Sequence, residues 1–215
     1  FLYEKAHNSS IGKSWIEHNT SFFEFAQSEC SGKILEIGGG NLHIANLIAS
    51  LDEVKEYHVI DSNICREKAN TGKFVFFENL FDLKQLPTEE YDCIIHSHTI
   101  EHLYDPLSDL KELRRVLKRE GKMIFSAPMI NNMLKQGYTN ALNFEHTYYI
   151  NEDVIKFMLD TTGFNIDESY FFSSNTIDDW CLFAVCSKIE KRKLDIQKDV
   201  NISLEFDQFV DLNRH

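Results

Sequence analysis

The chain has 215 residues, a formal charge of −12, 43% hydrophobic residues and 26% charged ones, enough for one domain with a real core. The acidic excess repels phosphate backbones, which argues against a nucleic-acid partner. No apolar run reaches the ~18 residues that a membrane span needs, so no membrane partner is expected either.

The elements follow in chain order. Residues 10–29 predict a helix whose apolar face carries Trp15, Phe22, Phe23 and Phe25. Lys33 to Ile37 is a short buried strand that runs into Gly38-Gly39-Gly40. Residues 41–51 predict a second helix, with Ile44, Leu47, Ile48 and Leu51 facing inward. Strands are expected at Tyr57 to Ile60, ending at Asp61, at Lys73 to Phe77, and at Tyr91 to His96. The last of these is nearly all apolar, as a strand covered on both faces should be. A charged amphipathic helix over 105–118 leads to a fifth strand, Lys122 to Ser126. Residues 127–149 read as irregular, and the aromatics Tyr148 and Tyr149 as core. A helix then starts at Asn151, a plausible N-cap, and stops before Gly163. Two strands close the pattern, Phe164 to Phe172 and Trp180 to Ser187, and their short connection implies antiparallel pairing.

This alternation predicts an α/β fold: a Rossmann-like, doubly wound, mostly parallel seven-stranded sheet with an antiparallel last strand. The expected division is a helical lead-in or lid over 1–29, a ligand-binding domain over 30–187, and a tail or peripheral helix over 188–215. The five cysteines, Cys30, Cys65, Cys93, Cys181 and Cys186, form no CxxC pair, and their number is odd. That fits reduced thiols in a cytoplasmic protein, not a disulfide framework or a zinc cluster, so no metal ligand is expected. Cys93, Cys181 and Cys186 lie in apolar runs and read as small buried hydrophobes.

The chemistry begins at the glycine turn. Glu36-Ile37-Gly38-Gly39-Gly40 leaves a strand and opens a helix, where glycines let backbone approach a ligand closely. Amides at a helix start favour a carboxylate or phosphate. Against a G-x-G-x-x-G dinucleotide fingerprint, Gly38 and Gly40 fit but His43 occupies the third position, which argues against a nicotinamide-dependent oxidoreductase. Asp61, 21 residues beyond Gly40, is placed to accept both hydroxyls of a ribose, its plainer role being an N-cap. Asn79 is placed to read an adenine amino group, with Leu80 and Phe81 covering the ring. Near the ends of the fourth and fifth strands, His98, His102 and His146 offer groups that titrate near neutrality and suit a general base. Read singly, His98 is a solvated loop residue, His102 a helix-start packer and Glu101 a holder of its turn.

The run Ile34 to Ile48 resembles the first motif of class I S-adenosylmethionine (SAM)-dependent methyltransferases. Tyr91 to Pro106 resembles that family's fourth strand and following turn, and Leu113 to Pro128 its next helix and strand. The resemblance covers roughly residues 30–187. It implies SAM as cofactor, with S-adenosylhomocysteine as product. It implies cofactor contacts from Glu36, Gly38, Gly39, Gly40, Asp61, Ser62, Asn79, Leu80, Ser97 and His98. Leu42 departs from the pattern, standing where many members have another glycine. Phe144 to Ile150 and the lead-in Tyr3 to His18 are similar to the sugar C-methyltransferase branch. There the matching positions make Glu145 and His146 the pair that includes the base, His102 a substrate contact and Tyr3 a contact from the lead-in. The cysteine-rich zinc domain and large C-terminal domain of that branch have no counterpart here. The implied acceptor is a small polar molecule: a sugar, a nucleotide sugar or a phosphorylated surface-polysaccharide precursor. A catalytically silent SAM-binding scaffold is the alternative from another class.

Overall fold

Burial divides between the two faces of one sheet. The computed structural model describes residues 12–78, 82–138, 141–142 and 145–189. Its strands are β1 (Gly32–Ile37), β2 (Val54–Asp61), β3 (Phe74–Glu78), β4 (Tyr91–Ser97), β5 (Leu117–Pro128), β6 (Phe164–Phe172) and β7 (Cys181–Lys188). Its helices are α1 (Lys13–Ala26), α2 (His43–Ala49), α3 (Pro106–Val116), α4 (Ile130–Lys135) and α5 (Glu152–Thr162). Side chains alternate across each strand, so successive residues feed opposite layers. Ile34, Ile95, Ile124 and Val185 join a core with residues of α1 and α2. Leu35, Ile94, Phe125 and Ala184 join the other, with residues of α3 and α5.

The strand order is β3-β2-β1-β4-β5-β7-β6. The pairs from β3 through β5 are parallel, and β7 runs antiparallel to both β5 and β6. The sequence therefore predicted the fold class and the antiparallel end correctly. The order reverses between β1 and β4, and the carboxyl ends of strands at such a switch point form the usual ligand crevice of an open α/β sheet.

Local chemistry sets the helix ends. Asn151 caps α5, its side chain accepting from Val154 N–H at 2.9 Å, and Gly163 at φ 82° closes it. Asp105 caps α3 through Ser108 N–H at 3.1 Å, with proline in the first turn.

Four expectations need correction. The helix expected to Lys118 stops at Val116, because Leu117 already pairs with Tyr91 and β5 runs for 12 residues. The stretch after β5 is not wholly irregular: α4 buries Ile130, Met133 and Leu134, a pattern too short to stand out in a sequence. Leu47 points outward, and Ala45 and Ala49 take the inner face instead. Tyr148 and Tyr149 are exposed, not core.

His96, in the middle of the sheet, is buried and stacked on Phe125 at 5.2 Å, and neither ring nitrogen has a hydrogen-bond partner among the described residues. Burial lowers its pKa to about 3. Below the unfolded value of about 6.5, the unfolded chain takes up a proton that the folded one refuses, so stability falls as pH falls. His96→Leu should therefore flatten the acid side of the stability curve, recovering about 1–2 kcal/mol relative to the parent between about pH 7 and pH 5. Urea unfolding at the two pH values measures it; an unchanged slope would show that His96 does not titrate this way.

Candidate functional site

Three glycines follow β1 because three other side chains already fill the space their Cβ atoms would need. Gly38 sits at φ 81°, and a Cβ there would collide with the Thr99 side chain. At Gly39 it would strike the Glu36 carboxyl, and at Gly40 the Asn63 carbonyl and the Asp61 carboxyl. Gly38 N–H donates to Ile60 at 2.9 Å, which ties the turn to β2. Leu42 is left-handed at φ 60° and fully buried. A glycine would hold that backbone without strain, and here the buried leucine side chain compensates.

Asp61 is built into this turn. Its carboxylate accepts from Gly40 N–H at 3.0 Å and from Asn63 N–H at 2.8 Å, and Ser62 also hydrogen-bonds it. Burial raises its pKa, and these donors oppose the rise. Glu36 lies beneath the turn, buried, taking a hydrogen bond from Tyr57 Oη at 2.9 Å. Burial pushes its pKa up to about 8. It therefore shapes the turn from below.

The second half of the site follows β4. Thr99 connects the halves: its hydroxyl donates to Ile37 O at 3.1 Å, and its own carbonyl accepts His102 N–H at 3.0 Å. Ser97 and Ser126 share a hydrogen bond of 2.7 Å across β4 and β5. The main-chain carbonyl of Glu101 accepts from Thr147 N–H at 2.8 Å and Tyr148 N–H at 3.2 Å, so the segment around His146 is laced to this turn. The expected turn-holding role of Glu101 is thus met by its backbone. Its carboxyl is a structural finding: it is 1% exposed, and among the described residues neither oxygen has a hydrogen-bond partner. Burial raises its pKa, against the pull of His102 and His146.

Histidines surround that carboxyl. His98 Nδ1 is 3.3 Å and His102 Nε2 3.9 Å from Glu101 Oε1. The His102 and His146 rings stand edge to face with centroids 5.0 Å apart. His102 Nδ1 donates to the Glu145 carbonyl at 3.0 Å, which fixes its tautomer. His146 is half-buried, and burial lowers its pKa, with Glu101 opposing. Glu145 meets His102 through its main chain, and its carboxylate pulls on His146 through space.

The structure thus brings His102, His146 and Glu145 together, and joins Gly38–Gly40, Asp61 and Ser62 into one unit. His98 is not the solvated loop residue expected. Its backbone is left-handed at φ 48°, and its ring is packed among His18, Cys181 and Trp180. Burial, helped by His102, lowers its pKa to about 3. Tyr3, Asn79 and Leu80 lie outside the described residues.

Comparison with known proteins gives the family and the fold. The methyltransferase-domain family matches residues 14–169, more than half of the chain. A probable S-adenosylmethionine-dependent methyltransferase of Mycolicibacterium smegmatis is 26% identical over 159 residues, 72% of this chain and 61% of that protein. One of Mycobacterium tuberculosis is 26% identical over 158 residues, 72% of this chain and 57% of that protein. The chain therefore spans about three fifths of the length of these relatives. Among solved structures, an S-adenosylmethionine-dependent methyltransferase of Mesorhizobium loti superposes with a TM-score of 0.62 at 14% identity, covering 81% of this chain and 98% of that one. One of Aquifex aeolicus gives 0.60 at 15% identity, covering 84% and 93%. The fold and its glycine–aspartate unit define a class I SAM-binding domain. This chain belongs to the methyltransferase-domain family, whose cofactor is SAM.

The residues present fit that cofactor. Gly38–Gly40 carry no side chain at the turn and the Asp61 carboxylate lies at the end of β2, positions that would suit the methionyl end and the ribose hydroxyls of the cofactor. Asp61→Ala should weaken SAM binding by about 1–3 kcal/mol in calorimetry. Unchanged affinity would remove Asp61 from the ribose.

Proposed function

We propose that this chain methylates a small polar acceptor, with His146 removing the acceptor proton. The observation that carries the reading is the buried Glu101 carboxyl beside His102 and His146, at the switch-point ends of the strands and joined through Thr99 to the glycine turn. A protein that only bound the cofactor would have no need for two histidines and a buried acid there.

SAM supplies, when bound, a methyl group on a sulfonium. The residues of the chain then have two tasks, alignment and proton removal. His146 is held neutral by its half-buried position, which is the form a base requires. As it gains a proton, the Glu101 carboxyl stabilises the new charge. His102, its tautomer fixed by the Glu145 carbonyl, orients the acceptor. Around this pair Tyr104, Tyr148 and Tyr149 are exposed, and Tyr148 Oη donates to the Tyr104 carbonyl at 3.0 Å. Such a rim of aromatic faces and hydroxyls suits a sugar, a nucleotide sugar or a phosphorylated surface-polysaccharide precursor.

His146→Ala should slow turnover about 10²–10⁴-fold with SAM affinity retained. The test is release of S-adenosylhomocysteine with a panel of nucleotide sugars and sugar phosphates. Near-normal turnover would move the base to His102. No release from any acceptor with the parent protein would favour a binding scaffold. Because the pKa of His146 is lowered, the base stays neutral to below the ordinary value, and the acid limb of kcat/KM should lie below about pH 6.5. An acid limb above pH 7 would contradict the assignment.

A further inference from the structure

Three side chains from distant parts of the chain converge beside the acceptor histidines. His18 lies on α1, His98 follows β4, and Cys181 opens β7. His98 Nε2 is 3.2 Å from His18 Nε2. Cys181 Sγ is 3.6 Å from His18 Nε2 and 3.4 Å from His98 Nε2. A tetrahedral zinc ion with Zn–N of about 2.0–2.1 Å and Zn–S of about 2.3 Å spaces its ligands about 3.3 Å apart for N···N and about 3.6 Å for N···S. The observed triangle matches those edges.

The other ring nitrogens sharpen the point. His18 Nδ1 faces the side-chain oxygen of Asn19 at 3.2 Å, and His98 Nδ1 faces Glu101 Oε1 at 3.3 Å. Asn19 Oδ1 is an acceptor, so His18 Nδ1 carries the proton in a neutral ring and its Nε2 presents a lone pair to His98 and Cys181. A cation satisfies all three atoms at once. A carboxylate behind a ligating histidine is the arrangement that fixes ring and tautomer at metal sites, and Glu101 stands in that place. Trp15 packs edge-on against both rings, at 5.3 and 4.9 Å, and Trp180 lies over His98 at 5.4 Å.

We propose that His18, His98 and Cys181 bind one zinc ion, its fourth position left to water on the side where the His98 side chain keeps 13% exposure. Thiolate and imidazole donors in a tetrahedral arrangement favour zinc over harder cations. Loading releases the Cys181 thiol proton as the thiolate forms. The ion ties α1 to the ends of β4 and β7. Through His98 it also positions Glu101, the carboxyl that faces His102.

The test reads metal and not turnover, so it stands apart from the methyl-transfer reading. The full chain is stripped with a chelator, reloaded with Zn2+ and gel-filtered, and its metal content measured. About one zinc per chain is expected, and none would overturn the proposal. Cobalt(II) in its place should give the intense visible bands of a tetrahedral thiolate site. Cobalt should also quench tryptophan emission, since the two tryptophans of the chain, Trp15 and Trp180, both border the site. Those readouts need no variant, so they decide the matter even if substitutions unfold the protein. Cys181→Ser should abolish the thiolate-to-cobalt band. Glu101→Gln should weaken zinc binding about 10–100-fold. Zinc retained undiminished by folded Cys181→Ser and His18→Asn would place the metal elsewhere and overturn the assignment.

Discussion

The hydrogen bond from Gly40 N–H to Asp61 holds the turn after β1 and the end of β2 in one geometry. The same carboxylate also takes Asn63 N–H. The glycines are forced by what surrounds them. Thr99, Glu36 and the Asp61–Asn63 corner occupy the volumes where side chains would go. Since interiors are close-packed, none of these neighbours yields cheaply. The bare backbone of the turn is thus a by-product of tight packing from behind.

Thr99 carries that constraint to the other half of the site. It closes against Gly38 and Ile37 while starting the short turn that presents Glu101 and His102. The Glu101 carboxyl then sits without a hydrogen bond from the described residues in a place almost sealed from water. Such a group is costly to bury unless its surroundings use it. Three histidines lie around it. One side looks toward the proposed acceptor pair, His102 and His146, and the other toward His98 and its contacts with His18 and Cys181. One buried acid thereby links two functional readings.

Much of this was legible in the chain itself. Strand and helix order, the antiparallel end and the cap at Asn151 follow from hydrophobic period and capping chemistry, which are local. The glycine turn and Asp61 were legible for the same reason. Where local signals were weak the reading slipped. A six-residue helix at Ile130–Lys135 is too short to show a period, and Tyr148 and Tyr149 look like core residues because nothing local says which way a loop faces. Leu42 adopts a left-handed backbone that its residue type disfavours, and only its burial explains it.

The sequence by itself determined the class of fold, because strands, turns and helices depend on neighbours along the chain, and its resemblance to a known family pointed to the cofactor. The tertiary structure decided how distant side chains meet. Cys181 reads as a buried hydrophobe in an apolar strand, and it is one; yet its sulfur lies beside a histidine 163 positions away. His18 reads as one residue on an amphipathic helix. No spacing rule connects them, since their meeting is set by how α1 crosses the ends of β4 and β7, and that crossing is a property of the packed cores.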